Sequence, residues 1–449
     1  MTQIFALHSA YAVAVAVAAI DSGLIASNAE RLLVPFNTAQ VPETTIGIDE
    51  LPTLASLRAR FDRCEGLDAV VAPLHPSDWA PGEADLPMLA RLFARAWNLD
   101  DDLELFVQSP QVAPAGTLLS LFPHAKITII GDGLMTYSPI RNDLGRAVVE
   151  RIGRVVYADV VPGVEPLVFT EAGAARVPVD PAAVRRVLAE TATADLQLDD
   201  LADGTRTALV LGQYLAALGL ISTDEEIRMQ QQMVDRAAEW NPRRIVFKPH
   251  PSAPPSVTDA VRQRAEQHGA QFAQYRGTQS AELVAERLDV VGVVAGFSTA
   301  LPTVHTLYGR PIAAVGTARM LRQLTPFENS NRIPLTIVDA LTRENSPYRD
   351  PERLQLLIDA VGYAMQPVNA EHLRPRAEEL LATLPAPERT RYFSPARLAR
   401  LRLPGAPPPR FVDRMLRTGG GVGRMEELRL TIGGAQRRAV RAWKAVRGS

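Results

Sequence analysis

One cysteine in 449 residues is the first constraint. Cys64 alone closes no intramolecular disulfide and builds no cysteine metal cluster, which fits a reducing cytoplasm. Long apolar runs are also lacking. The best of them, Ala10 to Ile20, is eleven residues long, against about 20 needed to cross a bilayer as a helix. His8 and Ser9 stand just before it, where a signal peptide would carry Lys or Arg, so the run reads as a buried helix. Neither sign of charge dominates: a net charge of −2 removes any global electrostatic case for nucleic acid. There is no Walker loop, no GxGxxG, no HExxH, and no internal repeat at solenoid periods.

What is present is the composition of a globular protein with ample core, 47% hydrophobic and 22% charged, long enough for two domains. Short β-branched runs alternate with amphipathic stretches. Gln3–Leu7, Arg31–Pro35, Leu67–Leu74, Leu103–Val107 and Lys126–Ile130 are expected strands, with helices over Tyr11–Ile20, Asp85–Trp97 and Leu118–Phe122. Prolines 162, 166, 178 and 181 interrupt the pattern, leaving one strand expected near Arg154–Asp159. It restarts with strands at Thr207–Leu211, Arg244–Phe247, Val290–Val294 and Pro311–Val315, and helices at Thr223–Trp240, Val257–His268, Glu282–Arg287 and Thr299–Tyr308. The expected organisation is α/β, with two Rossmann-like domains facing across a cleft. They span 1–165 and 205–400, with a linker at 166–204 and a Pro-rich then basic tail at 401–449.

In open α/β sheets, ligands bind beyond the carboxyl ends of strands, so polar clusters at strand ends are the candidate chemistry. Arg243-Arg244-Ile245-Val246-Phe247 runs into Lys248-Pro249-His250-Pro251, a histidine held between prolines with a lysine two residues before it. Val293-Val294-Ala295 runs into Gly296-Phe297-Ser298-Thr299 at the start of a helix. An imidazole, an ammonium, two hydroxyls and unpaired helix-start amides suit a phosphate, and Gly296 lets backbone approach it. A Ser/Thr pair there is equally an ordinary N-cap, worth about 1 kcal/mol. Asp132, in Gly131-Asp132-Gly133 after the Lys126 strand, has the composition of a tight turn. A carboxylate at that strand end can also take a proton from an acceptor hydroxyl. Gly212-Gln213, His8-Ser9 and Glu282 complete the set; Glu282 could equally be a solvated first-turn residue. Asp100-Asp101-Asp102 precedes a strand, and His75-Pro76 repeats the later His-Pro dipeptide without the lysine before it, so both are set aside.

Gly131-Asp132-Gly133, Lys248-Pro249-His250-Pro251 and Ser298-Thr299, in that order, resemble the acidic-acidic-glycine, His-Pro and Ser/Thr motifs of bacterial sialyltransferases, and the α-2,8-polysialyltransferase family above all. Ile4-Phe5-Ala6-Leu7-His8-Ser9-Ala10-Tyr11 and Leu209-Val210-Leu211-Gly212-Gln213 look like that family's two domain starts, so the resemblance covers roughly the first 330 residues. It implies a B-type glycosyltransferase fold that needs no metal or other cofactor and transfers sialic acid from CMP-sialic acid to a glycan hydroxyl with inversion. By the same likeness Asp132 is the base and His250 serves the departing phosphate. Ser298, Thr299, Lys248, Gly296, Gly212 and Gln213 belong to the donor side, Glu282 to the cytidine, and His8 and Ser9 to the acceptor side. One departure stands out: the first acidic position is Gly131. A CDP-glycerol-type polymer phosphotransferase shares a Lys/Arg-Pro-His-Pro segment and a later serine motif, and a catalytically silent nucleotide-sugar binder would tolerate Gly131.

The tail from Leu401 carries eleven basic residues against three acidic ones. Arg437, Arg438, Arg441 and Lys444 fall at helical spacing among Val440, Trp443 and Val446. Residues 436–447 are thus expected either to lie on an anionic inner membrane face or to form a solvated end. A cytoplasmic enzyme, soluble or peripheral, with a nucleotide-sugar donor, a glycan acceptor and no nucleic-acid partner, is the expectation.

Overall fold

A computed structural model describes residues 1–26, 28–39, 46–142, 144–213, 215–216, 219, 221–250 and 255–407. Pro251 and the basic segment 436–447 lie outside the described residues. Seven strands form the first sheet: β1 (Thr2–Leu7), β2 (Glu30–Pro35), β3 (Arg63–Cys64), β4 (Leu103–Val107), β5 (Lys126–Ile130), β6 (Ile152–Ala158) and β7 (Ala175–Val179). Their order is β3-β2-β1-β4-β5-β6-β7 and every pairing is parallel. Five more form the second: β8 (Thr207–Leu211), β9 (Arg244–Lys248), β10 (Gln271–Gln274), β11 (Gly292–Ala295) and β12 (Ile312–Ala314), in the parallel order β10-β9-β8-β11-β12. These are the two Rossmann-like sheets that the sequence leads one to expect.

The central strands are mostly apolar because parallel sheets are covered on both faces. β1 and β8 are buried along their whole lengths. One core, with helix Ala10–Asp21, fills one face of the first sheet and continues through the second half, and a separate one fills the other face around Trp97, Phe93 and Ile129. Each sheet reverses its winding once, between β1 and β4 in the first and between β8 and β11 in the second. Such a reversal opens a crevice beyond the strand ends, and this is where ligands enter doubly wound sheets.

Besides the short strands β3 and β10, which the sequence did not announce, three segments differ from the sequence expectation. Leu67–Val71 is a helix, not a strand: Leu67 and Val71, four apart, are buried while Val70 is 53% exposed, the pattern of one helical face. A run of five apolar-biased residues does not distinguish the two periods. The stretch 166–204, expected as a linker, supplies β7 and the helices Pro181–Glu190 and Leu196–Leu201. Helix Pro181–Glu190 packs both on helix Ala10–Asp21 and on helix Ala300–Tyr308, so it joins the halves. Beyond β12 the chain is helical and returns to the first half. Gln355 Oε1, on helix Pro351–Met365, accepts from the Glu165 N–H at 2.6 Å, and Ser138 Oγ donates to Ser330 O at 2.9 Å. Asp339, fully buried on helix Arg332–Thr342, fixes this bundle by accepting from Thr317 Oγ1, Tyr392 Oη and the Arg391 guanidinium. Among the described residues, no helix is long and apolar enough to cross a membrane.

Candidate functional site

The strand ends of the two halves meet at one place. Asp132 follows β5 and opens the short 3-10 turn Gly133–Tyr137, with its N–H donating to Thr136 Oγ1 at 2.7 Å. Gly133 takes φ +51°, and a Cβ there would lie 2.8 Å from Thr299 Oγ1. The next residue, Leu134, donates its N–H to the same hydroxyl at 3.3 Å. Asp132-Gly133 of the first half and Thr299 of the second therefore form one junction, across 165 residues of sequence. Gly131 is as tightly enclosed: a Cβ would come within 2.8 Å of Tyr157 Cβ and 2.9 Å of Thr136 Oγ1. No second carboxylate fits beside Asp132 without moving β6.

On the second half, Ser298 and Thr299 are not a conventional cap. Ser298 Oγ accepts from the Ala300 N–H at 3.2 Å, while Thr299, at the N-cap position, uses its hydroxyl for Leu134. Each hydroxyl that accepts a bond retains an O–H to donate. Gln213 sits at the reversal between β8 and β11, and its Oε1 accepts from the Phe297 N–H at 2.8 Å. Its role in the structure is to hold the Gly296–Thr299 loop. Gly296 lies against that amide, and the Gly212 N–H donates to Lys248 O at 2.9 Å. The second phosphate-type cluster is thereby tied to the first. β9 and β11 flank β8, so the chain positions of His250 and Ser298 lie roughly 10 Å apart by strand spacing.

His250 is exposed at the β9 end; partial desolvation holds its imidazole below the ordinary value, with the Glu226 carboxylate pulling the other way. Glu226 is itself buried and accepts from the Leu215 and Ala216 N–H groups at 2.9 and 3.0 Å. Lys248 points inward: its Nζ donates to Gly277 O at 3.1 Å and lies 4.8 Å from the Tyr275 ring centroid. Burial lowers the pKa of this ammonium, against the Glu282 and Asp195 carboxylates. Glu282 is no solvated first-turn residue. It is buried in helix Ala281–Arg287, and desolvation raises its pKa, opposed by bonds from its own N–H and Ser280 and by the nearby Lys248 charge. Its charge also reaches Tyr11 of the first half, whose phenol burial pushes up well past the ordinary range.

His8 and Ser9 leave β1 at the other reversal. Ser9 is the N-cap of helix Ala10–Asp21: its Oγ accepts from the Ala12 N–H at 3.1 Å and from Gln108 Nε2 at 3.0 Å. His8 is half-buried, with Nε2 3.2 Å from Ser109 Oγ. Burial lowers its pKa and the Asp132 charge opposes this. Beside Asp132 a cavity of about 330 Å³ opens, with Ser109, Gln111, Ile129, Met135 and Val168 in its walls. Sequence reasoning missed Ser109, Thr136 and Tyr11. Gln108-Ser109 follows β4 as His8-Ser9 follows β1, so the same strand-end rule would have found it. Of the residues set aside, Asp100 binds the terminal amine of Met1 and His75 caps the turn Pro76–Asp78 through Nδ1.

Two facing parallel α/β sheets, a carboxylate on one strand end and a phosphate-type cradle on the opposing ends are those of a glycosyltransferase of the B type. The sequence model of the Alpha-2,8-polysialyltransferase (POLYST) family matches residues 3–315, and the chain belongs to that family. No functionally curated protein matches its sequence. Among solved structures it is similar to Staphylococcus aureus MnaA with UDP (11% identity, TM-score 0.42, 81% of this chain and 96% of that one). It is also similar to the B-type domain of a sialyltransferase from Photobacterium damselae (10%, 0.38, 76% and 96%) and to Escherichia coli heptosyltransferase WaaC (13%, 0.33, 70% and 88%). At such scores these overlaps fix neither donor nor reaction.

Proposed function

We propose that this glycosyltransferase moves sialic acid from CMP-sialic acid to a glycan hydroxyl, with inversion and without a metal, in the assembly of a surface polysaccharide or glycoconjugate. The observation that carries the reading is the Asp132-Gly133/Thr299 junction, which puts a carboxylate and the hydroxyl-rich start of helix Ala300–Tyr308 in one gap. An acceptor in the 330 Å³ cavity would meet Asp132, which takes its proton as the oxygen attacks the anomeric carbon. The bond to phosphate breaks through an oxocarbenium-like state, and the growing phosphate charge falls on Ser298, Thr299 and His250. Buried Glu282 and half-buried Lys248, whose charges act on each other, suit the cytidine end.

Incubating the purified chain with CMP-sialic acid and glycan acceptors tests this by CMP release, and NMR of the product gives the anomeric configuration. The expected result is an inverted linkage formed at a rate unchanged by EDTA. Turnover of CDP-glycerol in place of CMP-sialic acid, or a rate abolished by EDTA and restored by a divalent ion, would replace the reading.

A further inference from the structure

Where the family motif carries two acidic positions this chain carries one, and the enclosure of Gly131 by Tyr157 and Thr136 leaves no space for the other. A second titratable group reaches the same corner from a different strand. His8 follows β1 and Ser109 follows β4, on the two sides of the winding reversal of the first sheet. Their side chains are paired, Nε2 to Oγ, at 3.2 Å. The His8 N–H donates to Gln108 Oε1 at 3.2 Å, and its ring packs on Phe36 with centroids 5.4 Å apart, so the residue is held from the β4 and β2 ends. Ser109 takes φ +56°, a conformation that residues other than glycine adopt only where the surroundings impose it, and often at functional sites. It lines the cavity that Asp132 also lines. Among the described residues packed here, Asp132 from the β5 end is the charge that acts on His8; Tyr11 on the following helix, Phe36 after β2 and the Gln108-Ser109 pair after β4 bring none.

We propose that His8 and Ser109 complete the proton-accepting unit of the acceptor site, with His8 receiving through the Ser109 hydroxyl the proton that Asp132 draws from the acceptor. The inference rests on the glycosyl-transfer reading and adds to it. In the step, the acceptor oxygen bonds to the anomeric carbon while the bond from that carbon to the phosphate oxygen breaks, its electron pair leaving on CMP. The acceptor proton goes to the Asp132 carboxylate. Ser109 Oγ then takes that proton and gives its own to His8 Nε2. Burial favours the neutral imidazole, which has a lone pair to receive the proton, and Asp132, again anionic, offsets the imidazolium charge.

His8→Gln and Ser109→Ala are each expected to lower kcat by about tenfold or more at an unchanged donor KM. The pH profile of His8→Gln should lose the ionisation that the imidazole contributes to the wild type. Full kcat with a wild-type pH profile in His8→Gln would overturn the proposal. A fold defect in these variants is separated from a lost proton path by following the imidazole directly, by NMR titration of His8 in the wild type and in Asp132→Asn without substrate. The midpoint should fall in Asp132→Asn, since a nearby negative charge favours the imidazolium. An unchanged midpoint would refute the coupling. This readout is independent of the donor: a chain that turns over no CMP-sialic acid yet shows the lower His8 midpoint contradicts the proposed donor and supports the pair.

Discussion

The two winding reversals of this molecule hold their polar groups differently. At β1/β4, and at the adjoining β5 end, the elements are tied to one another: His8 to Ser109 and Gln108, the Asp132 backbone N–H to Thr136, and the Asp132-Gly133 turn to Thr299. At β8/β11 the backbone is prepared, with Gln213 holding Phe297, yet His250 stands exposed at the neighbouring β9 end. Proton removal from an acceptor needs a base already in place, because misplacement costs rate directly. A leaving-group contact can instead form as the donor covers it. Under the proposed glycosyl transfer, the first crevice would carry the chemistry and the second the capture of the donor.

The largest effect should come from the preformed side. Asp132→Asn removes the base and keeps the size, so kcat should fall by about 10²–10⁴-fold, the range for a positioned general base. CMP affinity, measured by calorimetry, should stay within about twofold, since no donor contact is lost. Wild-type turnover in this variant with CMP still bound would dissolve the contrast between the crevices and favour a silent binder.

Next is the junction between them. Gly133→Ala places a Cβ against Thr299 in a left-handed backbone, and strain of this kind costs about 1–3 kcal/mol. The denaturation midpoint should fall and turnover with it. Thr299→Ser, which removes the methyl group nearest that Cβ, should recover part of the stability in the double variant. Purely additive effects would mean that the halves do not meet in solution as described.

Much of this was legible beforehand, for a physical reason. Central parallel strands are buried on both faces, so β1, β4, β5, β8, β9 and β11 announce themselves as apolar runs, and their polar ends follow at once. The edge strands β3, β7 and β10 did not. β3 has two residues, and β7 contains Pro178 and exposed positions, which a proline-punctuated linker shares. At the site, Asp132, His250, Lys248, Ser298 and Thr299 could be picked out by residue type. What each hydroxyl or amide bonds could not, because Thr299 to Leu134 and Gln213 to Phe297 are long-range pairings that only the packed halves create. The depth of Glu282 was hidden for the same reason: nothing local to Ser280-Ala281-Glu282 tells a buried helix start from a solvated one.

On the capture side, His250 titrates below the ordinary imidazole value in the free protein. A bound phosphate should raise it, because an anion favours the protonated ring. A group whose pKa is higher in the complex takes up a proton on binding, so CMP affinity should be greatest below the free pKa and decline as pH rises through the bound one. If the phosphate raises that pKa by about one, the decline amounts to about tenfold in affinity. Calorimetry across about pH 5.5 to 8 should show this decline in the wild type and a flat profile in His250→Gln. A wild-type profile that is itself flat would place the phosphate away from His250.

Glu282→Gln should give the smallest effect and the most specific one, because it acts in opposite directions on stability and on binding. Burial raises the pKa of the folded carboxyl above its unfolded value, so charging it opposes folding. That penalty is absent below the unfolded pKa, develops as pH rises, and is complete above the folded pKa. The amide carries no such penalty, so the variant should match wild type in acid and unfold at higher denaturant near neutral pH. CMP affinity should nevertheless drop by about tenfold, the worth of a charged hydrogen bond exchanged for a neutral one. A residue kept charged and buried at a cost to the fold, and needed for the ligand, is a binding residue. If the variant were more stable and bound CMP as tightly as wild type, Glu282 would serve only Lys248, and the cytidine would have to be sought elsewhere along the second sheet.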